Sequence, residues 1–95
     1  MNPMHINLYA TFRLAAGVKT IQLDLPAGAT VQQAVEAAVE QYPALRVHWL
    51  NDAGEIHAHV HCLLNGEDVG SLAAGWQTPM PPDAALDIFP PVAGG

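Results

Sequence analysis

One segment of this 95-residue chain has the apolar spacing of a helix that buries a single side. Thr30 stands before it as an N-cap, and Gln33 completes a capping-box pattern. Pro43 ends it, because the residue before a proline disfavours helical backbone. The sequence therefore predicts one main helix through about Gln41, with an apolar stripe that must pack on another element. The stripe consists of Val31, Ala34, Val35, Ala38, Val39 and Tyr42.

Short runs that alternate apolar and polar residues lie on both sides of this helix, as half-buried strands do. Residues 12–18 are predicted to be a short connection, residues 45–50 a short strand or packed loop, and Asn65-Gly66 a hairpin turn. One helix can cover only one face of a sheet, so the pattern indicates an α+β fold. The predicted strands are His5–Thr11, Lys19–Leu25, His57–Asn65, a short returning segment in Glu67–Leu72, and Ala85–Phe89.

The charge balance narrows the possible partners. Three basic residues stand against nine acidic ones, and the net charge is -6. Nucleic-acid affinity comes largely from Lys and Arg that neutralise phosphates, so we expect no nucleic-acid partner and favour proteins with a basic docking face. No apolar run approaches the ~20 residues that span a bilayer, and the first residues lack the pattern of a secretory signal. The single Cys62 fits a reducing compartment, and we expect a cytoplasmic protein without a membrane partner.

The C-terminal end carries the feature with the clearest chemical meaning. Pro90-Pro91 fixes φ twice and favours a stiff, extended exit from the last strand. Gly94-Gly95 has no side chains, so this end can enter a narrow channel, and the extended tail reaches ~20 Å. We therefore divide the chain into a folded domain, residues 1–89, and a flexible tail, residues 90–95.

The terminal carboxylate of Gly95 is a poor electrophile until it is activated, most simply as an acyl-adenylate made from ATP. It can then accept sulfur and become a thiocarboxylate. The sequence has no phosphate loop of the G-x-x-x-x-G-K-[ST] type. We therefore expect that a partner enzyme uses the ATP, and that this chain is a carrier and substrate with no bound cofactor.

At this point the chain resembles the ThiS/MoaD family of ubiquitin-like sulfur carriers. The resemblance covers nearly the whole chain and rests on the opening strand, the turn from Pro26 to Thr30 with its helix, Leu64–Val69, and above all Asp87–Gly95. It implies a β-grasp fold with a mixed sheet of four to five strands. One departure is the turn Pro81–Ala84, where family members usually have a Gly-Asp pair.

The resemblance also implies roles for individual residues. Gly95 would be adenylated by an enzyme related to ubiquitin-activating enzymes and then thiocarboxylated, with Gly94 beside it. Phe89 would be a docking contact. The remaining residues that would meet the partner are Pro90, Pro91, Val92 and Ala93.

The resemblance leaves two pathways open. The ending Pro90–Gly95 is similar to the small subunit of molybdopterin synthase, which implies the large subunit as a downstream partner and molybdenum cofactor biosynthesis as the first expectation. The middle, Leu45–His61, is similar to carriers that supply cysteine synthesis or another thio-metabolite, which implies a cysteine-synthase-like partner. Two other functions also fit the sequence: a protein modifier joined to lysines, and a β-grasp binding module without C-terminal chemistry.

Three histidines and the cysteine have competing interpretations. His57, His59 and His61 alternate, so a strand would place them on one face, where imidazoles can bind zinc or copper. Strand positions i to i+4 span ~13 Å, too far for one ion, and we favour a solvated face and no metal site. Cys62 is predicted to be a small buried hydrophobe rather than a sulfur relay.

Overall fold

The computed structural model describes residues 2–90. Short 3₁₀ turns lie at Pro43–Leu45, Val69–Ser71 and Gly75–Gln77. Within these residues no helix is long and apolar enough to cross a membrane. The strands and helices are β1 Asn2–Leu8, α1 Ala10–Ala16, β2 Thr20–Leu25, α2 Val31–Gln41, α3 Arg46–Trp49, β3 His61–Leu64, β4 Glu67–Asp68 and β5 Ala85–Phe89.

The described part of the chain forms a five-stranded sheet in the order β2-β1-β5-β3-β4. β1 and β5 run parallel at its centre, and Ile6 faces Leu86 in their register. The other pairs, β1 with β2, β3 with β5 and β3 with β4, are antiparallel. The predicted α+β class with a mixed sheet is therefore confirmed, and the last strand of the chain lies in the middle of the sheet.

Helix α2 packs on one face of this sheet and follows the prediction closely. Thr30 accepts a hydrogen bond from the backbone of Gln33, and the Gln33 side chain accepts one from the backbone of Thr30. The capping box is thus complete, and the helix ends at Gln41 as predicted. Its apolar stripe is buried against alternate residues of the strands, among them Ile6, Leu8, Ile21, Leu86 and Ile88, all 0% exposed.

The first strand and the connection after it differ from the prediction. β1 is Asn2–Leu8 rather than His5–Thr11, and residues 10–16 form a helix where the end of that strand and a short connection were predicted. β1 ends at Leu8, and Ala10 adopts a positive φ of 51° that turns the chain out of the sheet. Phe12 is then buried with its ring 5.7 Å from that of Trp49, edge to face. Burial of this ring gives the short helix a tertiary contact, and Gly17 ends it in the left-handed conformation, which glycine adopts without strain.

The predicted strand His57–Asn65 is also shorter in the structure, where only residues 61–64 pair. Residues 57–60 form a turn in which the backbone N–H of Val60 donates to the carbonyl of His57. The His57 and His59 rings stack at 4.9 Å, so the three histidines do not share one strand face. The strand prediction, which rested on the alternation of this segment, is therefore wrong for residues 57–60.

Two smaller corrections concern the segments on either side. Residues 46–49 are helical, where a short strand or a packed loop was predicted, and this helix buries Trp49 at 0% exposure and leaves Val47 74% exposed. In the returning segment only Glu67 and Asp68 pair with β3. The Asp68 carboxylate then accepts a hydrogen bond from the backbone N–H of Gly70. This contact caps a 3₁₀ turn at residues 69–71, so the returning strand ends at Asp68.

We predict that Thr30→Ala lowers the free energy of unfolding by about 1 kcal/mol, because the capping hydrogen bond to Gln33 is lost. For a domain of this size that corresponds to a fall of roughly 4–8 °C in Tm. Thermal unfolding followed by circular dichroism measures it. Thr11→Ala is the matched control, since Thr11 is exposed on α1. Equal Tm values for Thr30→Ala and the wild type would contradict the prediction.

Candidate functional site

The predicted tail leaves the domain at the end of β5, where Phe89 is the last strand residue and Pro90 follows it. Both are partly buried. Phe89 faces His61 in the antiparallel register with β3. On the other side the Tyr9 ring stacks on the Phe89 ring, with 4.4 Å between centroids and 15° between planes. The start of the tail is therefore held by a specific aromatic contact.

A chain of polar contacts connects this stack to the sheet face opposite α2. The Tyr9 hydroxyl donates to Oδ1 of Asp87 at 3.0 Å. Asn7 donates to the same oxygen at 2.9 Å, and its own Oδ1 accepts from the Thr20 hydroxyl at 3.2 Å. Three neighbouring strands, β2, β1 and β5, are thus joined through side chains at the end of the sheet where the tail begins.

The Tyr9 phenol is stabilised in its neutral form by this network. The hydrogen bond to Asp87 is the main cause that raises the pKa of Tyr9 above its ordinary value of 10.0. Burial and the negative charge of Asp87 act in the same direction, and Arg13 partly opposes them. At neutral pH the hydroxyl therefore stays protonated and remains a hydrogen-bond donor.

Arg13 connects helix α1 to Tyr9 and to the end of β1. Its guanidinium carbon lies 5.9 Å from the centroid of the Tyr9 ring, within the range of a cation–π contact. Its Nε donates to the carbonyl of Leu8 at 3.2 Å. One of the few basic side chains of the protein is thus used to fix the end of β1 and the residue that follows it.

The predicted site residues divide into two groups. Phe89 and Pro90 are described and lie at the root of the tail. The adenylation site and the rest of the predicted partner contact lie outside the described residues, so their assignments stay predictions. They are Pro91, Val92, Ala93, Gly94 and Gly95.

The sequence alone did not identify Tyr9 as the neighbour of Phe89, or Asn7 and Arg13 as members of the network around Tyr9 and Asp87. A weak signal was available, because Asn7 and Tyr9 continue the polar side of the β1 alternation. Their partner Asp87 is 80 positions from Asn7 along the chain. Only the strand order brings these residues together, and periodicity does not determine strand order.

Four acidic residues that could help to attract a basic docking face are spread over the structure: Glu67, Asp68, Asp83 and Asp87. Asp87 accepts two hydrogen bonds from within the domain, and Asp68 caps a turn. Glu67 and Asp83 are exposed. Asp87 and Asp68 therefore have structural roles. Asp68 is also exposed, so it can contribute with Glu67 and Asp83 to the attraction of a basic docking face.

Cys62 is buried on the core side of β3. Burial is the main cause that raises its pKa to about 12, with smaller contributions from the charges of Asp87 and Asp68. The thiolate is the nucleophilic form of cysteine, and it is rare here near neutral pH. The interpretation of Cys62 as a buried hydrophobe is confirmed, and a sulfur relay through it is not supported.

The histidines do not form the metal cluster that was weighed against a solvated face. Within residues 2–90 no group of three or more His, Cys, Asp or Glu side chains is placed to hold a metal ion. His57 and His59 lie in the turn before β3, and His61 is exposed on the strand itself.

We predict that native Cys62 resists alkylation by iodoacetamide at mildly alkaline pH. Its thiolate fraction is about a thousandfold below that of a thiol with the ordinary pKa of 9.0. Mass spectrometry of the labelled protein measures the rate. An Ala58→Cys variant in a Cys62→Ala background is the control, because residue 58 is exposed in a turn. Equal native rates for the two cysteines would refute the prediction.

The raised pKa of Tyr9 predicts a specific pH dependence. The folded state holds the phenol proton more tightly than the unfolded state, so this stabilisation is complete below about pH 10 and is lost as pH rises through the folded pKa. In a Tyr42→Phe variant, phenolate absorbance reports Tyr9 alone. We expect its midpoint above 10.0, and a return to the ordinary value in denaturant. A native midpoint at or below that value would exclude the hydrogen bond to Asp87 as a stabilising contact.

Comparison with known proteins supports the family resemblance. The family model described as the ThiS family matches residues 6–95. Small archaeal modifier protein 1 from Haloferax volcanii is 38% identical over 92 residues, which cover 97% of this chain and 100% of that protein. Small archaeal modifier protein 3 from the same organism is 35% identical over 92 residues, with 97% and 98% covered.

Solved structures agree with the fold described above. The crystal structure of Haloferax volcanii SAMP1 has a TM-score of 0.86 and 35% identity, with 98% of this chain and 99% of that chain covered. The structure of the Amycolatopsis orientalis BexX/CysO complex has a TM-score of 0.79 at 22% identity, with 97% and 99% covered, and at this identity it shows a shared fold alone. The predicted ubiquitin-like β-grasp fold is confirmed.

The relatives also bear on the class of protein. They are named as small modifier proteins, in agreement with the prediction that this chain is not an enzyme. The match to the family model reaches the terminal glycine and includes the whole tail. This chain, which matches the family model over residues 6–95, therefore belongs to the ThiS family of small ubiquitin-like proteins.

Proposed function

We propose that this chain is a cytoplasmic sulfur carrier whose terminal carboxyl, on Gly95, is adenylated, converted to a thiocarboxylate and used as a sulfur donor. The observation that carries the proposal is the continuous family match through Gly95. A second feature supports the proposal: the sequence ends in Gly-Gly, and only a short proline-rich segment separates these glycines from the central strand β5.

The geometry of the domain suits a carrier. β5 is the central strand of the sheet and is paired on both sides, so the predicted tail begins from a firmly held strand. Phe89 is held by the Tyr9 ring. Six residues follow Phe89 in the sequence and can reach ~20 Å when extended. A rigid domain can therefore dock outside a partner while its end reaches a buried catalytic site.

The chemistry requires two successive steps at the terminal carboxyl group. A carboxylate oxygen of Gly95 attacks the α-phosphorus of ATP, and pyrophosphate leaves. Hydrosulfide then attacks the carbonyl carbon of the acyl-adenylate, a C–S bond forms, the C–O bond to AMP breaks, and AMP leaves. The product is a thiocarboxylate, and no atom changes oxidation state. This chain supplies the carboxylate, and the partner supplies the nucleotide site.

The partners follow from these two steps. We propose an ATP-using adenylyltransferase related to ubiquitin-activating enzymes as the first partner. The Amycolatopsis orientalis CysO of the same fold was solved in complex with BexX, which supports a protein partner for this fold. For the enzyme that receives the sulfur, the first candidate is the molybdopterin synthase large subunit, and the second is a cysteine-synthase-like enzyme.

Modification of other proteins is a second candidate, and a specific observation favours it. The relatives at 38% and 35% identity are named small archaeal modifier proteins. The same acyl-adenylate serves both functions, because a lysine amine can attack it in place of hydrosulfide and form an amide as AMP leaves. Lysine-linked conjugates that end in Gly94-Gly95, found in a lysate, would support this function.

Intact-protein mass spectrometry tests the proposal directly. The chain is incubated with ATP, a candidate adenylyltransferase and a sulfide source. We expect a mass increase equal to the exchange of one oxygen for one sulfur, located at Gly95 and absent without ATP. An unchanged mass with an adenylyltransferase that activates another carrier in parallel would count against the carrier function with that partner.

Two variants of the C-terminus serve as matched controls. Deletion of Gly95 is expected to abolish the mass change with a shift in Tm of less than ~2 °C. The described core is built by the sheet and α2, and the tail is expected to add few contacts to it. Addition of one alanine after Gly95 is expected to abolish it as well, because the reactive carboxyl is then on the wrong residue. Activity of either variant, or unfolding on deletion, would contradict the assignment of Gly95.

A further inference from the structure

Phe89 is held less fully by the sheet than the residues before it. On the β3 side its register continues, opposite His61. On the β1 side, within residues 2–90, the parallel register ends at the pair Leu8 and Ile88, one residue before Phe89. The stacked Tyr9 ring occupies that side. A side chain thus takes the place of the missing strand neighbour at the root of the tail.

Tyr9 is itself fixed from several directions. Its hydroxyl donates to Asp87, which also accepts from Asn7. The Arg13 guanidinium lies over its ring. The next residue, Ala10, has a φ of 51°, a left-handed conformation that strains any residue with a Cβ. Strain of this kind persists where surrounding contacts over-determine the backbone, and it concentrates at functional positions.

We propose that Tyr9 is a positioning residue for the carrier reaction: by stacking on Phe89 it sets the direction in which the tail leaves the sheet. This inference rests on the proposed function for its catalytic consequence, although the contact itself does not. The role proposed for Tyr9 needs no contact with the reacting carboxyl. It acts through Phe89, and nothing in the family resemblance assigned it a role.

The physical reason is preorganisation. A partner that binds the domain and the tail together must order every group that is loose in the free protein, and each rotamer-rich side chain that is already fixed removes part of that cost. Loss of the stack should therefore weaken productive docking. We expect the KM for this carrier to rise about threefold to tenfold while kcat stays within about twofold.

Three variants of the full-length chain separate positioning from stability. Tyr9→Leu removes the stack and the hydroxyl, whereas Tyr9→Phe keeps the ring and loses only the bond to Asp87. Tyr42→Leu is the matched control, because Tyr42 is a partly buried aromatic packed on the core at the end of α2. Equilibrium unfolding establishes that each variant is folded before other measurements.

The first measurement needs no partner. Backbone ¹⁵N relaxation of Phe89 is compared among the wild type and the three variants by NMR. We expect increased fast motion at Phe89 in Tyr9→Leu, and wild-type values in Tyr9→Phe and Tyr42→Leu. If Phe89 in Tyr9→Leu is as rigid as in the wild type, the stack does not hold the root of the tail and the proposal is wrong.

The second measurement follows the thiocarboxylation assay at varied carrier concentration. We expect a raised KM for Tyr9→Leu, with Tyr9→Phe and Tyr42→Leu near the wild type. Equal KM changes in Tyr9→Leu and Tyr42→Leu would reduce Tyr9 to a structural role and overturn the proposal. If the wild type itself is not thiocarboxylated, the sulfur-carrier function fails, and the relaxation data alone decide whether Tyr9 holds the tail.

Discussion

The parallel ladder between β1 and β5 joins two segments that are nearly the full chain apart, and the rest of the structure is arranged around it. Asn7 and Asp87, hydrogen-bonded across this ladder, are 80 positions apart in sequence. Parallel strands cannot be joined by a tight turn, so the intervening chain must cross over, and α2 lies in this crossover. The same ladder buries Ile6, Leu8, Leu86 and Ile88 beneath the helix.

This arrangement separates two requirements that a carrier must meet together. The inner face of β5 contributes to the core, while its outer face carries Asp87 and Phe89, which organise the root of the tail. Specific docking needs a rigid surface, whereas access to a buried catalytic site needs a thin, unobstructed end. Alternation along one strand lets a short sequence provide the core and the surface at once.

The sequence predicted what depends on near neighbours. Thr30 and Gln33 are three positions apart, so their capping box was visible as a pattern, and Ala85–Phe89 was visible as alternation. The segment His57–Val60 alternates just as well, yet it turns, because its pairing depends on whether a neighbouring strand is present. The stack of Tyr9 on Phe89 could not be predicted for the same reason: it exists only because the first and last strands are adjacent.

The central place of the last strand also affects how the protein is made. Until β5 has left the ribosome, β1 and β3 have no common neighbour and the apolar side of α2 has an incomplete surface to cover. The domain should therefore fold after synthesis of its final strand rather than progressively, as expected where distant contacts dominate. A product truncated before Ala85 would lack the centre of its sheet and remain open to proteolysis. Cells would thus accumulate folded domains only from chains that had been translated through the whole of β5.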